Sequence, residues 1–404
     1  FFRVQLLFTM TDGVELAKRR PCHDMVIGVP KETLPGERRV ALAPANVTQL
    51  KKKGYSVIIE SGAGADSDFP DAMYAANGAE VVCRDKAFQA DIIFKVRAPR
   101  EIEDGKHEVD FFKPGAVLIS MVYPNQNPEL IEKFQKAGIT VFGADCIPRI
   151  TRAQVYDVLS SMNNIAGYKA VLEAANTFGR YFKQTITAAG KVDPAKVLVL
   201  GTGVAGLSAI ATAKGMGAIV RAFDVRPAAR EQVISMGAEY LDCGVNEDGS
   251  GAGGYAKEMS ATFMAAMAEM IGKQAKEVDI IITTALIPGK PAPRLVTEEQ
   301  VAAMKPGSVT VDLAAEFGGN IATTKKGEKY VYNNRVTCIG YTDLPSRLPT
   351  QSSSLFANNL TKFLLAMGDK ECFGIDLQDV VFRNSILTLD GASMLPHPPL
   401  PQPR

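Results

Sequence analysis

Residues 197–227 constrain the chain more than any other stretch. A continuous apolar run, Val197–Leu200, leads into Gly201-x-Gly203-x-x-Gly206. An Ala-rich run follows, then a second apolar run, Ile219–Phe223, which ends on Asp224. Strand, glycine turn, helix, strand and acid in that order form a dinucleotide-binding βαβ unit. An uninterrupted apolar strand suits a parallel sheet covered on both faces. Gly201 permits the tight turn, Gly203 lets backbone approach a pyrophosphate, and Gly206 lets the helix pack closely on the strand. The first helical turn offers unpaired N–H groups to phosphates. Asp224 lies 23 residues after Gly201, where a carboxylate accepts ribose hydroxyls and repels a 2′-phosphate. The spacing therefore favours NAD(H) over NADP(H). Arg226 could hold a 2′-phosphate, but the acid is nearer, and the plainer reading of Arg226 is a solvated loop charge.

At 404 residues the chain is long enough for two domains. A net charge of +1 excludes nothing by itself, but it gives no footprint for nucleic acid or an anionic membrane. The six cysteines are scattered without a Cys-x-x-Cys pair, which suits a reducing compartment and predicts no metal site. No segment reads as a transmembrane helix.

Strand-like and helix-like runs alternate from Met25 to about 148, without a glycine fingerprint of the 197–206 kind. The expected fold is α/β: two doubly wound, Rossmann-like parallel-sheet domains with a ligand cleft between them. The first is expected at 25–148, completed by a returning segment at about 346–385, and the nucleotide-binding domain at 149–345. Residues 1–24 read as a leader or linker and 386–404 as a Pro-rich tail, which together suggest one piece of a larger assembly. Gly244–Tyr255, with five glycines, reads as a mobile loop or a lid ending in Tyr255.

An NAD-dependent dehydrogenase acting on a hydroxy or amino acid moves a proton as well as a hydride, usually with His or Lys. The three histidines, His23, His107 and His397, fall in the leader, a charged loop and the tail, and read as solvated surface groups. Hydride transfer between two nicotinamides needs no such group, only orientation and exclusion of water.

Several stretches resemble one family: Gly28-Val-Pro-Lys-Glu-Thr33, Arg39-Val-Ala-Leu-Ala-Pro44, Pro148-Arg-Ile-Thr-Arg-Ala-Gln154, Leu159-Ser-Ser-Met-Asn-Asn-Ile-Ala-Gly-Tyr168, Gly254-Tyr-Ala-Lys-Glu-Met259, Thr283-Thr-Ala-Leu-Ile-Pro-Gly-Lys-Pro-Ala-Pro293 and Gly340-Tyr-Thr-Asp-Leu-Pro345. They are similar to the NAD(H)-binding component of proton-translocating NAD(P) transhydrogenase, at the start of the bacterial-type alpha subunit. The resemblance implies direct hydride transfer from NAD(H) on this chain to NADP(H) on a partner domain. It implies that Arg149, Gln154 and Asp157, with Ser160 beside them, hold the nicotinamide end, and that Tyr255 is the tyrosine of a mobile loop. Val204, Ala205 and Gly206 would carry the pyrophosphate, Asp224, Val225 and Arg226 would surround the adenosine ribose, and Gly254 and Leu286 would line the cofactor. Read without the family, Arg149 and Asp157 are ordinary helix-surface charges.

A hairpin at Thr185–Lys191 would embrace a second copy, giving a homodimer. Partner subunits would supply the membrane-spanning and NADP(H)-binding parts. The chain would then sit peripherally at the cytoplasmic face of a bacterial inner membrane, or at the matrix face in mitochondria, without inserting itself. The competing reading is the sister branch, alanine dehydrogenase. It needs a substrate-binding Arg and Lys, a catalytic His and an Asp, and these positions are Arg39, Arg97, about Tyr123 and Glu316 here. Only the first agrees.

Overall fold

The structure is a computed structural model that describes residues 8–11, 14–102, 105–251, 257, 259–287 and 291–396. It divides into two compact units: the described residues of Phe1–Ser161 with Pro349–Arg404, and Met162–Leu348. The boundary falls inside the Val158–Thr177 helix, so residues 149–161 belong to the first unit rather than to the nucleotide-binding one.

The first unit is built on an eight-stranded sheet. Its central strand, Val26–Val29, pairs in parallel with Ser56–Glu60 on one side and Ile92–Phe94 on the other. Glu80–Val82 extends the first side; Val117–Ser120 and Thr140–Gly143 extend the second. These strands are short apolar runs, and Ile92–Phe94, Val117–Ser120 and Thr140–Gly143 are buried throughout, as expected between helical layers. Proline in the first turn starts the Pro44–Lys52 and Pro128–Lys136 helices, where its missing N–H costs nothing. Ile386–Leu389 then adds antiparallel to Thr140–Gly143, with Ala392–Ser393 beyond it. Residues 386–393 are therefore core strands and not a tail; Leu387 and Leu389 are buried. The proline-rich residues from His397 onward lie outside the described residues.

The leader reading fails in the same way. Val14–Pro21 forms a strand that pairs with Phe8–Thr11 and, on its other side, with Cys372–Asp376. Leu16, Ala17 and Cys22 are buried, and three consecutive cations meet three acids: Lys18 with Asp390, Arg19 with Asp369, and Arg20 with Asp91. The sequence hid this because the strand's partner lies about 350 residues downstream. Leu16→Ala should cost about 2–3 kcal/mol in a denaturant titration; a detached leader would show no change.

The second unit holds a seven-stranded sheet in the order Glu239–Tyr240, Ile219–Phe223, Lys196–Leu200, Ile280–Thr283, Val309–Asp312, Val336–Ile339, Lys329–Tyr332. All pairings are parallel except the last, where Lys329–Tyr332 returns antiparallel and takes the edge expected for Val336–Tyr341. From Lys196–Leu200 the chain winds outward through Ile219–Phe223, then crosses back to Ile280–Thr283. The order therefore reverses at the carboxyl end of Lys196–Leu200, which is the ligand crevice of an open α/β sheet. The Ala261–Glu277 helix is started by Ser260, whose hydroxyl accepts the Phe263 N–H at 3.2 Å. Thr185–Thr187 and Gly190–Val192 form the expected hairpin, paired only with each other among the described residues, and Ile186 on it is 81% exposed.

Candidate functional site

The glycine turn follows the Lys196–Leu200 strand directly. Gly201 has φ +91°, a left-handed conformation that favours glycine, and its N–H is held by the Phe223 carbonyl at 2.9 Å. A Cβ on Gly206 would lie 2.0 Å from the Gly201 carbonyl oxygen, so this helix packs on the turn only with glycine. Gly203 differs: an added Cβ would meet nothing within 4 Å. The fold does not require glycine there; an approaching ligand does.

The Val204–Gly215 helix starts at this point without a side-chain cap. The amides of Val204, Ala205 and Gly206 therefore lie in a first turn that has no intrahelical acceptors. Open space over Gly203 and uncapped amides beside it fit a pyrophosphate.

Asp224 ends the neighbouring strand and is buried. Its Oδ2 accepts from the Thr202 amide (2.7 Å), the Thr202 hydroxyl (3.0 Å) and Arg226 Nη2 (2.8 Å). Its Oδ1 accepts from the Arg226 amide and Nε, both at 2.9 Å. Arg226 is thus an ion-pair partner and not a solvated loop charge. Burial alone would raise the Asp224 pKa, but the Arg226 guanidinium and the Thr202 amide outweigh it and hold the carboxyl below its ordinary value. Beside Asp224 lies a recess of about 400 Å³ lined by Val225, Arg230, Tyr240, Leu241 and Phe263 among others. The Tyr240 hydroxyl donates to the Asp224 carbonyl at 2.7 Å.

Two residues overlooked in the sequence shape the other edge. The Thr284 hydroxyl donates to the Gly201 carbonyl at 2.9 Å, and the fully buried Asn320 holds the following loop: its Oδ1 accepts the Ala285 N–H, and its Nδ2 donates to the Ala285 and Pro293 carbonyls. Leu286 is half-buried just beyond this clamp. No sequence spacing signals Asn320, because its partners lie about 30 residues upstream. Gly254 and Tyr255 lie outside the described residues. The glycine-rich insertion before them is docked where the Gly249 N–H donates to the Val225 carbonyl at 3.0 Å.

In the first unit, Arg149, Asp157 and Ser160 come together. Arg149 Nε is 3.7 Å from Asp157 Oδ2, and Asp157 accepts the Ser160 amide (2.8 Å) and hydroxyl (2.6 Å) at the start of the Val158–Thr177 helix. These are not loose helix-surface charges: Asp157 caps the helix, and Arg149 lies ahead of it. Gln154 is exposed on the Thr151–Tyr156 turn, between Ile150 and Val155, which are both exposed apolar residues.

The histidines are placed as follows. His23 is exposed; His107 is half-buried, and its Nδ1 accepts the Val109 N–H at 3.1 Å to cap a short turn, with burial lowering its pKa. The surface reading of His107 is thus corrected to a capping role. His397 is outside the described residues. Among the described residues there is no cluster of His, Cys, Asp or Glu that could hold a metal, and no helix long and apolar enough to cross a membrane.

The first unit's own crevice, between Val26–Val29 and Ile92–Phe94, is filled by charge. Arg39 grips Glu37 through Nε (2.7 Å) and Nη2 (2.6 Å), and Arg97 Nε reaches the same carboxylate at 2.8 Å. Fully buried Lys95 lies 3.2 Å from both Glu32 and Glu108.

Fold and crevice define a dinucleotide-binding α/β protein. Comparison with known proteins narrows this. Residues 28–166 match the alanine dehydrogenase/PNT N-terminal domain and 170–396 the C-terminal domain, and the chain belongs to this family. It is 52% identical to NAD(P) transhydrogenase subunit alpha of Haemophilus influenzae, over 92% of this chain and 72% of that protein. It is 45% identical to the first of the pieces that make up NAD(P) transhydrogenase subunit alpha in Rhodospirillum rubrum, over 92% of this chain and 98% of that piece. The crystal structure of transhydrogenase from Sinorhizobium meliloti superposes with a TM-score of 0.82 at 42% identity, over 91% of this chain and 99% of that one. Alanine dehydrogenase 1 of Staphylococcus aureus is more distant, at 29% over 86% of this chain and 88% of that protein.

Proposed function

We propose that this chain is the NAD(H)-binding part of a proton-translocating NAD(P) transhydrogenase, which passes hydride directly to NADP⁺ held by a partner domain. The observation that carries the reading is the open space over Gly203 at the start of an uncapped helix. Bound NADH would supply the hydride. The Val204, Ala205 and Gly206 amides would hold the pyrophosphate, and Asp224 and Val225 the adenosine ribose, with the recess beside them suited to a planar base.

Arg149, Asp157 and Ser160 form a braced group that would orient the nicotinamide carboxamide. Gln154, exposed between Ile150 and Val155, would meet the partner domain. Tyr255 and Gly254 would close over the cofactor, with Leu286 along its other edge. Ile186 on the self-paired hairpin favours a second copy as its cover, and hence a homodimer. Membrane-spanning and NADP(H)-binding parts would come from partner subunits, with this chain peripheral on the cytoplasmic or matrix face.

The alanine dehydrogenase reading is weaker on a specific ground. Arg39 and Arg97, aligned with that enzyme's substrate-binding pair, both lie on Glu37 here. No histidine occurs near Tyr123.

The test mixes the purified chain with a transhydrogenase NADP(H) component and follows hydride transfer from NADH to an oxidised nicotinamide analogue. Gln154→Asn should slow transfer by roughly tenfold or more, as expected when reactants lose alignment, with NADH affinity unchanged. NADH oxidation with pyruvate and ammonia alone would instead establish the dehydrogenase.

A further inference from the structure

Asp224, the acid expected to read the ribose, is already saturated. A carboxylate offers about four lone-pair sites, yet five donors reach this one: the amide and hydroxyl of Thr202 and the amide, Nε and Nη2 of Arg226. Three of the five are fixed by the backbone of the glycine turn and of the strand end. The guanidinium is the movable pair, on a long side chain that reaches solvent over 21% of its surface. Its Nε takes one oxygen of Asp224 and its Nη2 the other. That is also how the two hydroxyls of a ribose would share them.

We propose that the Arg226 guanidinium is an internal stand-in for the ribose diol of NAD(H), which must leave Asp224 for the cofactor to bind. This rests on the NAD(H) reading above. The exchange swaps two N–H donors for two O–H donors, so the acid gains no hydrogen bonds from the cofactor, and part of the cofactor's binding energy is spent on breaking an ion pair. Arg226 therefore sets affinity low at a site that must release its product each cycle. The same exchange explains why an acid and an arginine can stand two residues apart without conflict. The arginine neutralises a carboxylate that would otherwise be buried alone.

Titration of the full chain with NADH, followed by nucleotide fluorescence, tests this. Arg226→Met should tighten NADH binding by about tenfold and should not tighten NADPH, because Asp224 still faces its 2′-phosphate. Arg226→Lys, a cation without the planar fork, should fall between Met and the wild type. In the wild-type chain the Arg226 Nε–H resonance should be protected from solvent exchange and should lose that protection as NADH is added. NADH affinity that is unchanged or weaker in Arg226→Met, or protection that persists at saturating NADH, overturns the stand-in. If Arg226→Met does not fold, the lysine variant and the resonance still decide it. Failure of the wild-type chain to bind NADH at all would sink the functional reading instead, which separates the two.

Discussion

Gly203→Val should leave the protein as stable as before and remove its affinity for NADH. The added side chain meets no atom within 4 Å of its Cβ, and the backbone there (φ −68°, ψ −167°) is open to any L-residue. A thermal melt should therefore shift by no more than about 2 °C, below the effect of ~1 kcal/mol in a domain of this size. NADH affinity should fall by roughly a hundredfold or more, about 2.7 kcal/mol, because the valine fills the space over the helix start. Gly206→Ala is the contrast. Its Cβ would lie 2.0 Å from the Gly201 carbonyl, so stability and binding should fall together. Loss of stability in Gly203→Val, or retained affinity, would show that the space over this turn is not where the cofactor lies.

Glu37→Gln should destabilise the first unit by about 3–5 kcal/mol, the usual cost of leaving buried charge unpaired. Both Arg39 and Arg97 rest on this one carboxylate. Burial alone would raise the Glu37 pKa, but the two guanidiniums override it and hold the carboxyl far below its ordinary value of 4.5. A pKa lowered by folding gives stability that is fully present above the unfolded-state value and is lost as pH falls through the folded one. The wild-type chain should therefore lose stability below about pH 4.5, and part of that acid limb should be missing in Glu37→Gln. Denaturant titrations of both proteins across the acid range measure this. Identical acid limbs would show that Glu37 is not the group responsible.

What the sequence disclosed and what it concealed differ in physical kind. The strand–turn–helix–strand–acid order was legible because each element of it is local: a run of apolar residues, three glycines, and an acid at fixed spacing. The parallel strands of both units were legible for the same reason. Val14–Pro21 and Ile386–Leu389 were not, because each becomes a strand only by pairing with a segment far away in the chain. The Asp224–Arg226 pair was visible as two residues, but their bond depends on a side-chain rotamer that spacing does not determine. Arg149 and Asp157 came from resemblance alone; by themselves they look like surface charges, and only the helix start at Val158 shows why the acid stands where it does. Asn320 gave no signal, since an asparagine in a loop is usually a turn residue.

That asparagine has a thermodynamic consequence. Its side-chain amide ties Ala285 to Pro293, while its own carbonyl accepts the N–H groups of Leu295 and Val296. The stretch between 285 and 293 is thereby closed into a ring by a single buried amide. The entropy of closing a loop grows only slowly with its length, and here it has been surrendered during folding. A ligand arriving beside Leu286 meets a rim whose two ends can no longer drift apart, and the ordering cost that binding usually incurs is that much smaller. Asn320 acts on affinity through the disorder it has already removed, without needing to touch the ligand.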